Sequence, residues 1–281
     1  MVKRILTAAV AIPIGILILV LNNPHIIAAV VAFFSVAAVY EILNVTKYIQ
    51  HKSVSAISLV FSLGYPLLAC YVKSEAIITA VAFLFVLAMF SVMIFEHKKI
   101  QYEEMTFIGF VYLCIPFAFS TLSSFVFKYP EHGIFFIVYV LAVTWIADGG
   151  AYFAGTFLGK HKLCPEISPK KTWEGFFGGV ISAGVFGVLL GYGYMLWDSI
   201  FTGENHFKVN IIILLVTALV ASVISVLGDL SASMLKRKYG AKDFGNLLPG
   251  HGGVMDRFDS VIFVSPFIAV VFSFFFPITA L

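Results

Sequence analysis

The sequence predicts an all-α polytopic membrane protein with about nine transmembrane helices and its N-terminus in the cytoplasm. Of the 281 residues, 60% are hydrophobic and only 12% are charged, whereas a soluble globular domain has about 25% charged residues. The apolar residues form runs about as long as the roughly 20 residues that cross a bilayer. The basic residues gather in alternate connections between those runs, as expected of a polytopic protein.

Composition also argues against several classes of function. The net charge of +3 is too small to indicate a nucleic-acid partner. Cys70, Cys114 and Cys164 are too scattered to indicate a disulfide framework or a zinc site. The sequence contains no compelling internal repeat, no low-complexity tract and no soluble domain.

Nine apolar stretches are candidate spans, separated by short connections. They cover residues 5–22, 26–44, 55–72, 76–95, 106–127, 133–157, 175–197, 209–234 and 258–278. The first follows Lys3 and Arg4 directly, but no convincing small-residue cleavage site follows it. We therefore predict a retained first span rather than a signal peptide. Glu41 and Pro66 interrupt the second and third stretches.

The distribution of Lys and Arg predicts the orientation. Fifteen of the 18 basic residues lie at the N-terminus or after the second, fourth, sixth and eighth stretches, and only Lys73, Lys128 and Lys208 lie elsewhere. Because short cytoplasmic loops carry the excess of basic residues, we expect the N-terminus inside and the C-terminus outside the cell (inner) membrane. The chain divides into residues 1–130, with about five spans, and residues 131–281, with about four spans and two long cytoplasmic loops.

Most aspartates lie in or beside those two loops, residues 159–173 and 235–257. They are Asp148, Asp229, Asp243, Asp256 and Asp259. Asp148 and Asp229 end the sixth and eighth stretches, and an ionisable residue within a span by default suggests a functional site. Because Mg²⁺ prefers hard oxygen ligands, the sequence predicts a Mg²⁺ site at the cytoplasmic face.

Residue spacing places several of these groups on shared helix faces. Asp256 and Asp259 are three residues apart and are expected on one face at the start of the ninth helix, where a helix favours negative charge. On the eighth helix, one face is expected to hold Asp229, Ser233, Lys236 and Arg237. A metal ion at Asp229 and a phosphate near Lys236 and Arg237 would satisfy this face.

The second loop is also rich in glycine, which lets backbone N–H groups approach phosphate oxygens closely. Its glycines are Gly240, Gly245, Gly250, Gly252 and Gly253.

Plainer, structural interpretations of these residues exist. Topology alone accounts for a single loop lysine, Asp148 or Asp229 could be the structural partner of a buried lysine, and His251 could cap a turn. The seventh stretch has glycines that we expect at helix-packing positions. These are Gly178, Gly179, Gly187, Gly191 and Gly193.

Residues 233–259, SMLKRKYGAKDFGNLLPGHGGVMDRFD, resemble the signature of the phosphatidate cytidylyltransferase (CDP-diacylglycerol synthase) family. All fixed positions of that signature are present. They are Ser233, Lys236, Arg237, Lys242, Asp243, His251, Gly252, Gly253, Asp256, Arg257 and Asp259. An upstream block of the family also appears, as Asp148, Tyr152, Gly155 and SPKKTWEG at 168–175. The resemblance covers residues 145–275.

The resemblance implies a membrane-embedded, commonly dimeric enzyme that uses Mg²⁺ to convert CTP and phosphatidate into CDP-diacylglycerol and pyrophosphate. It implies metal ligands at Asp229, Asp256 and Asp259, with Asp148 as a further ligand or supporting group. The catalytic residues expected on this basis are Asp229, Lys236, Arg237, Asp256, Arg257 and Asp259. The expected substrate-binding residues are Ser168, Lys170, Lys171, Thr172, Ser233, Lys242, Asp243, His251, Gly252 and Gly253.

Within this site we expect different segments to bind the two substrates. The glycine-rich loop with its cations would bind the triphosphate of CTP, and residues 168–172 would face phosphatidate. Two rival functions remain: a CTP-dependent polyprenol or phytol kinase, which would release CDP instead of pyrophosphate, and a secondary transporter. The complete loop signature argues against the kinase. A transporter commonly has repeated halves and charges near the midplane, neither of which the sequence suggests.

Overall fold

The computed structural model describes residues 2–99, 101–248, 250 and 252–281. Over these ranges the chain is overwhelmingly helical. The helices are α1 (Val2–Val20), α2 (Pro24–Val45), α3 (Lys52–Tyr71), α4 (Glu75–Phe95), α5 (Tyr102–Lys128), α6 (Gly133–Leu158), α7 (Trp173–Thr202), α8 (Ile211–Lys238), α9 (Met255–Phe258) and α10 (Val261–Phe274). Within the described part of the chain, seven helices, α2 to α8, are long and apolar enough to cross a membrane. The predicted all-α polytopic fold is thereby confirmed.

In the described part of the chain, four short strands form two antiparallel pairs. They are β1 (Lys162–Cys164), β2 (Ser168–Thr172), β3 (Phe207–Val209) and β4 (Ile278–Ala280). β1 pairs with β2 in the first long loop, and β3 pairs with β4. Neither pair is predictable from the sequence, since strands this short lack a clear alternating pattern.

Each of the first eight predicted spans coincides with one helix to within a few residues. The ninth, predicted at 258–278, differs at both ends, because α10 begins at Val261 and ends at Phe274. A separate short helix, α9, precedes it, and Asp259 lies in the turn between the two. There the Asp259 carboxylate accepts a hydrogen bond from the Ser260 N–H. The prediction that Asp256 and Asp259 share one helix face is therefore wrong.

The chain forms two compact units: residues 1–134 with 236–258, and residues 135–235 with 259–281. In the first unit, α2, α3 and α5 pack against one another, and α4 packs on α3 and α5. Ser35 of α2 and Ser58 of α3 are fully buried, and small residues of this kind let membrane helices pack closely. The glycine-rich loop, placed with residues 131–281 by sequence, groups with this first unit.

In the second unit, glycines bring α6 and α7 into backbone contact. A Cβ atom added at Gly179 would lie 2.7 Å from the Ala147 carbonyl oxygen, and one at Gly178 would meet the Cβ of Ala154. Gly187 and Gly191 also face neighbouring side chains closely, which confirms the predicted packing role, whereas Gly193 has open space around it.

Candidate active site

In the second unit, a lysine of β2 is paired with an aspartate of α8. The Lys171 Nζ lies 2.5 Å from Asp229 Oδ2, and their side chains are only 22% and 30% exposed. The other Asp229 oxygen accepts a hydrogen bond from the Ser233 hydroxyl, one turn further along α8, at 3.4 Å. The structure thus brings together a lysine that the sequence placed in the first long loop and two residues that it placed on the eighth helix.

Asp148 on α6 adds a second carboxylate to this cluster. Its Oδ1 accepts a hydrogen bond from the Ser225 hydroxyl at 3.4 Å, and it lies close enough to Asp229 and Lys171 to interact electrostatically with both. Two carboxyl groups and one ammonium group therefore meet at this point of the unit. Ser225 was not predicted as part of the site, because nothing in the sequence distinguishes it from the many other serines of the spans.

The β1–β2 pair explains how Lys171 reaches this cluster. Successive strand residues point to opposite faces, so Lys170 is exposed while Lys171 is not. Thr172 ends β2 and caps α7, where its hydroxyl accepts a hydrogen bond from Gly175 N at 3.1 Å. Glu174, on α7, accepts hydrogen bonds from the backbone and ring of His161, which directly precedes β1. These bonds connect the start of the β1–β2 hairpin to α7.

In the first unit, Asp256 organises the glycine-rich loop. Its Oδ1 accepts a hydrogen bond from Lys236 Nζ at 2.8 Å. Its Oδ2 accepts hydrogen bonds from the backbone N–H groups of Phe244, at 2.8 Å, and Gly253, at 2.9 Å. The Lys236 ammonium also lies over the Phe244 ring, 5.0 Å from its centroid. One carboxylate therefore joins the end of α8, the middle of the loop and the start of α9.

Other loop residues that were predicted to be catalytic or to bind substrate are exposed. Arg237, Lys242, Asp243 and Arg257 are all exposed. Gly252 has φ +86°, a conformation that glycine adopts without the strain that other residues incur. The predicted substrate-binding residue His251 lies outside the described residues. Ser168, at the start of β2, is half-buried, and Asp259 is buried in the second unit.

Glu41 on α2 is part of the loop's surroundings, and sequence reasoning missed this role. It is only 5% exposed. Its Oε1 accepts a hydrogen bond from Val254 N and its Oε2 accepts one from Met255 N, both at 2.9 Å. A carboxylate in an apolar span was the available signal, and it was recognised only for the aspartates of the second half.

The donor set near Asp148 suits a Mg²⁺ ion. No group of three or more His, Cys, Asp or Glu side chains with metal-binding geometry occurs among the described residues. Mg²⁺ commonly takes only one or two carboxylates and completes its shell with water and substrate phosphates. Asp148 and Asp229, flanked by two hydroxyls, fit that requirement. Asp256 fits it less well, because both its oxygens already accept hydrogen bonds.

Comparison with known proteins shows the family. The sequence profile of the cytidylyltransferase family matches residues 2–275. The chain is 33% identical over 278 residues to the phosphatidate cytidylyltransferase of Bacillus subtilis, covering 98% of both chains. It is 31% identical over 275 residues to that of Staphylococcus haemolyticus, covering 95% of this chain and 97% of the relative. It is 42% identical over 169 residues to that of Haemophilus influenzae, 56% of each chain. The chain belongs to the cytidylyltransferase family.

Proposed function

We propose that this chain is an enzyme of phospholipid biosynthesis that transfers the cytidylyl group of CTP to phosphatidate, giving CDP-diacylglycerol and pyrophosphate. The observation that carries the proposal is the charge cluster of Asp148, Lys171 and Asp229, in a chain whose relatives along almost its full length are phosphatidate cytidylyltransferases. The spans would keep the acyl chains in lipid while the head group meets CTP at the cytoplasmic face.

In this reaction a phosphate oxygen of phosphatidate attacks the α-phosphorus of CTP. The new P–O bond forms as the bond from that phosphorus to the bridging oxygen breaks, and pyrophosphate leaves with the electron pair. A phosphate monoester has a second pKa of about 6, so the nucleophile is already anionic at neutral pH and needs no strong general base. The main barrier is the repulsion between two polyanions.

The cations of the chain are suited to lower that barrier, since phosphoryl transfer depends mainly on positioning and charge neutralisation. Lys171 would turn from Asp229 to a substrate phosphate. The exposed Arg237, Lys242 and Arg257 would contact the triphosphate. Asp148 and Asp229 would hold a Mg²⁺ ion, which when bound supplies further neutralisation of phosphate charge.

Labelled CTP tests this proposal directly. With purified protein and phosphatidate, label at the α-phosphate should enter the lipid product, and label at the γ-phosphate should leave as pyrophosphate. A lipid kinase would instead transfer the γ-label to lipid and release CDP. Transfer of γ-label, or failure of both labels to move at any Mg²⁺ concentration, would overturn the assignment.

We also propose that the chain crosses the membrane nine times, with α1 as the first crossing and α10 as the last. The start of α10 lies against α8, because a Cβ at Gly228 would lie 2.8 Å from the Asp259 carbonyl oxygen. Beyond its end, β4 pairs with β3, which precedes α8. From Val209 to Gly228 is roughly 28 Å at about 1.5 Å per residue, close to the hydrocarbon thickness of about 30 Å. This supports a crossing by the segment around α10, although the helix itself is short.

The contact between Glu41 and Val254 supports the predicted arrangement of loops. Glu41 lies near the end of α2, and Val254 lies in the loop after α8, so their contact supports placing these two connections on one side of the membrane. The excess of basic residues supports the cytoplasm as that side. Homodimer formation, which the family resemblance implies, stays a prediction.

A further inference from the structure

The buried carboxylate of Glu41 lies on α2, in the first half of the chain. None of the cations assigned above to substrate binding lies in that half. Its two oxygens accept hydrogen bonds from two successive backbone N–H groups, those of Val254 and Met255. Both of these residues are themselves buried. Because buried polar groups are costly to leave without partners, the pairing fixes the chain segment that enters α9.

Two glycines of the loop make this contact possible. A Cβ atom at Gly245 would lie 2.5 Å from Glu41 Oε1, and one at Gly253 would come even closer to Oε2. Any side chain at either position would collide with the carboxylate. Because these glycines have no side chain, the loop can approach Glu41 closely. The Gly253 N–H does not bond Glu41, since it donates a hydrogen bond to Asp256.

The Glu41 contact is continuous with the Asp256 network. Gly253 N–H donates to Asp256, whereas the next two N–H groups, of Val254 and Met255, donate to Glu41. Two carboxylates thus hold consecutive backbone groups of one short segment. That segment carries Asp256, which in turn holds the Lys236 ammonium. A shift of the segment would move both charged groups.

We propose that Glu41 is a positioning residue for cytidylyl transfer, which fixes the loop so that Asp256 and Lys236 are held in their working geometry. This inference rests on the proposed function. It assigns a role in the reaction to α2, in a region whose sequence indicates only a run of spans. Glu41 acts through backbone hydrogen bonds and touches no substrate.

Glu41→Gln is the most informative variant, because it keeps the size of the side chain but replaces one acceptor oxygen with an NH₂ donor that faces a backbone N–H. We expect kcat to fall at least tenfold in folded protein. Glu96→Gln is the matched control, since the Glu96 carboxylate accepts a hydrogen bond from the Ser53 hydroxyl and touches none of these loop groups. It should keep wild-type kcat.

Hydrogen–deuterium exchange provides a measurement that does not depend on activity. In Glu41→Gln, peptides covering residues 242–256 should exchange faster than in the wild type, whereas peptides of α3 and α5 should be unchanged. A residue that only stabilises the fold would instead lower the yield and thermal stability, leaving kcat of the folded fraction at the wild-type value.

The outcomes separate this inference from the proposed function. If the wild type fails to make CDP-diacylglycerol, the function is overturned, while faster loop exchange would still support the role of Glu41 in holding the loop. If the wild type is active, unchanged kcat or unchanged loop exchange in Glu41→Gln overturns the inference. Should Glu41→Gln not fold, Gly245→Ala replaces it, because its new methyl group would press on the same carboxylate, and the same two results decide.

Discussion

Replacing Lys171 tests the charge cluster of the second unit most directly. Lys171→Ala removes the only cation that ion-pairs with Asp229 among the described residues and leaves two neighbouring carboxylates without compensation. The expected result is a loss of kcat/KM, because the same ammonium is then unavailable to a substrate phosphate.

The magnitude follows from the attraction between the Lys171 ammonium and a substrate phosphate. Two unit charges about 4 Å apart interact by about 4 kcal/mol at an effective dielectric constant of about 20. Because Lys171 gives up its pair with Asp229 when it turns to the phosphate, and because the two side chains are 22% and 30% exposed to solvent screening, the net contribution is about 1–2 kcal/mol. Since about 1.4 kcal/mol is a factor of ten in rate, kcat/KM should fall roughly 5- to 30-fold.

The assay is the initial rate of cytidylyl transfer in detergent micelles, with CTP and phosphatidate varied separately. Lys162→Ala is the control, because Lys162 is an exposed lysine of the partner strand in the same hairpin. Lys171→Arg should fall between wild type and Lys171→Ala, because it keeps the charge but not the compact ammonium. If Lys171→Ala matched Lys162→Ala to within about twofold in kcat/KM, the reasoning would be refuted.

Three other predictions concern metal, substrate and topology. Asp229→Asn and Asp256→Asn should each lower turnover at least about 100-fold in folded, membrane-inserted protein, and near-normal rates at ordinary Mg²⁺ concentrations would remove that residue from the site. Lys242→Ala should raise the KM for CTP several-fold more than that for phosphatidate, and Lys170→Ala should do the reverse; equal changes would mean one shared polyanion pocket. A reporter fused to the C-terminus should be active only if it works outside the cytoplasm, and a strong cytoplasmic signal would contradict nine crossings.

The spans were predictable because the bilayer fixes their length and composition. Eight predicted stretches match helices to within a few residues, since about 20 apolar residues satisfy the hydrocarbon thickness whatever their neighbours are. The ninth helix is shorter than its predicted stretch, because Asp259, which accepts a hydrogen bond from Ser260 N–H, and Pro277 lie within an otherwise apolar run. A turn residue and a proline end helices locally, which an average over the run does not reveal.

The candidate site was predictable by residue type but not by partner. The sequence grouped Lys170 with Lys171, and only the pairing of β1 with β2 shows that one is exposed while the other meets Asp229. Glu41 and Val254 lie at opposite ends of the chain, and no local pattern relates residues that far apart. Their contact follows from the packing of α2 with the segment around α9.

The glycine contact between α6 and α7 limits how this protein can admit a lipid. With Gly178 and Gly179 pressed against Ala154 and Ala147, the two helices have no side-chain layer in which one could slide or tilt on the other. Because close-packed backbones lose many contacts at once when they separate, we expect α6 and α7 to move together with the β1–β2 pair that joins them. We therefore expect a lipid path from the bilayer to the charge cluster along another helix boundary.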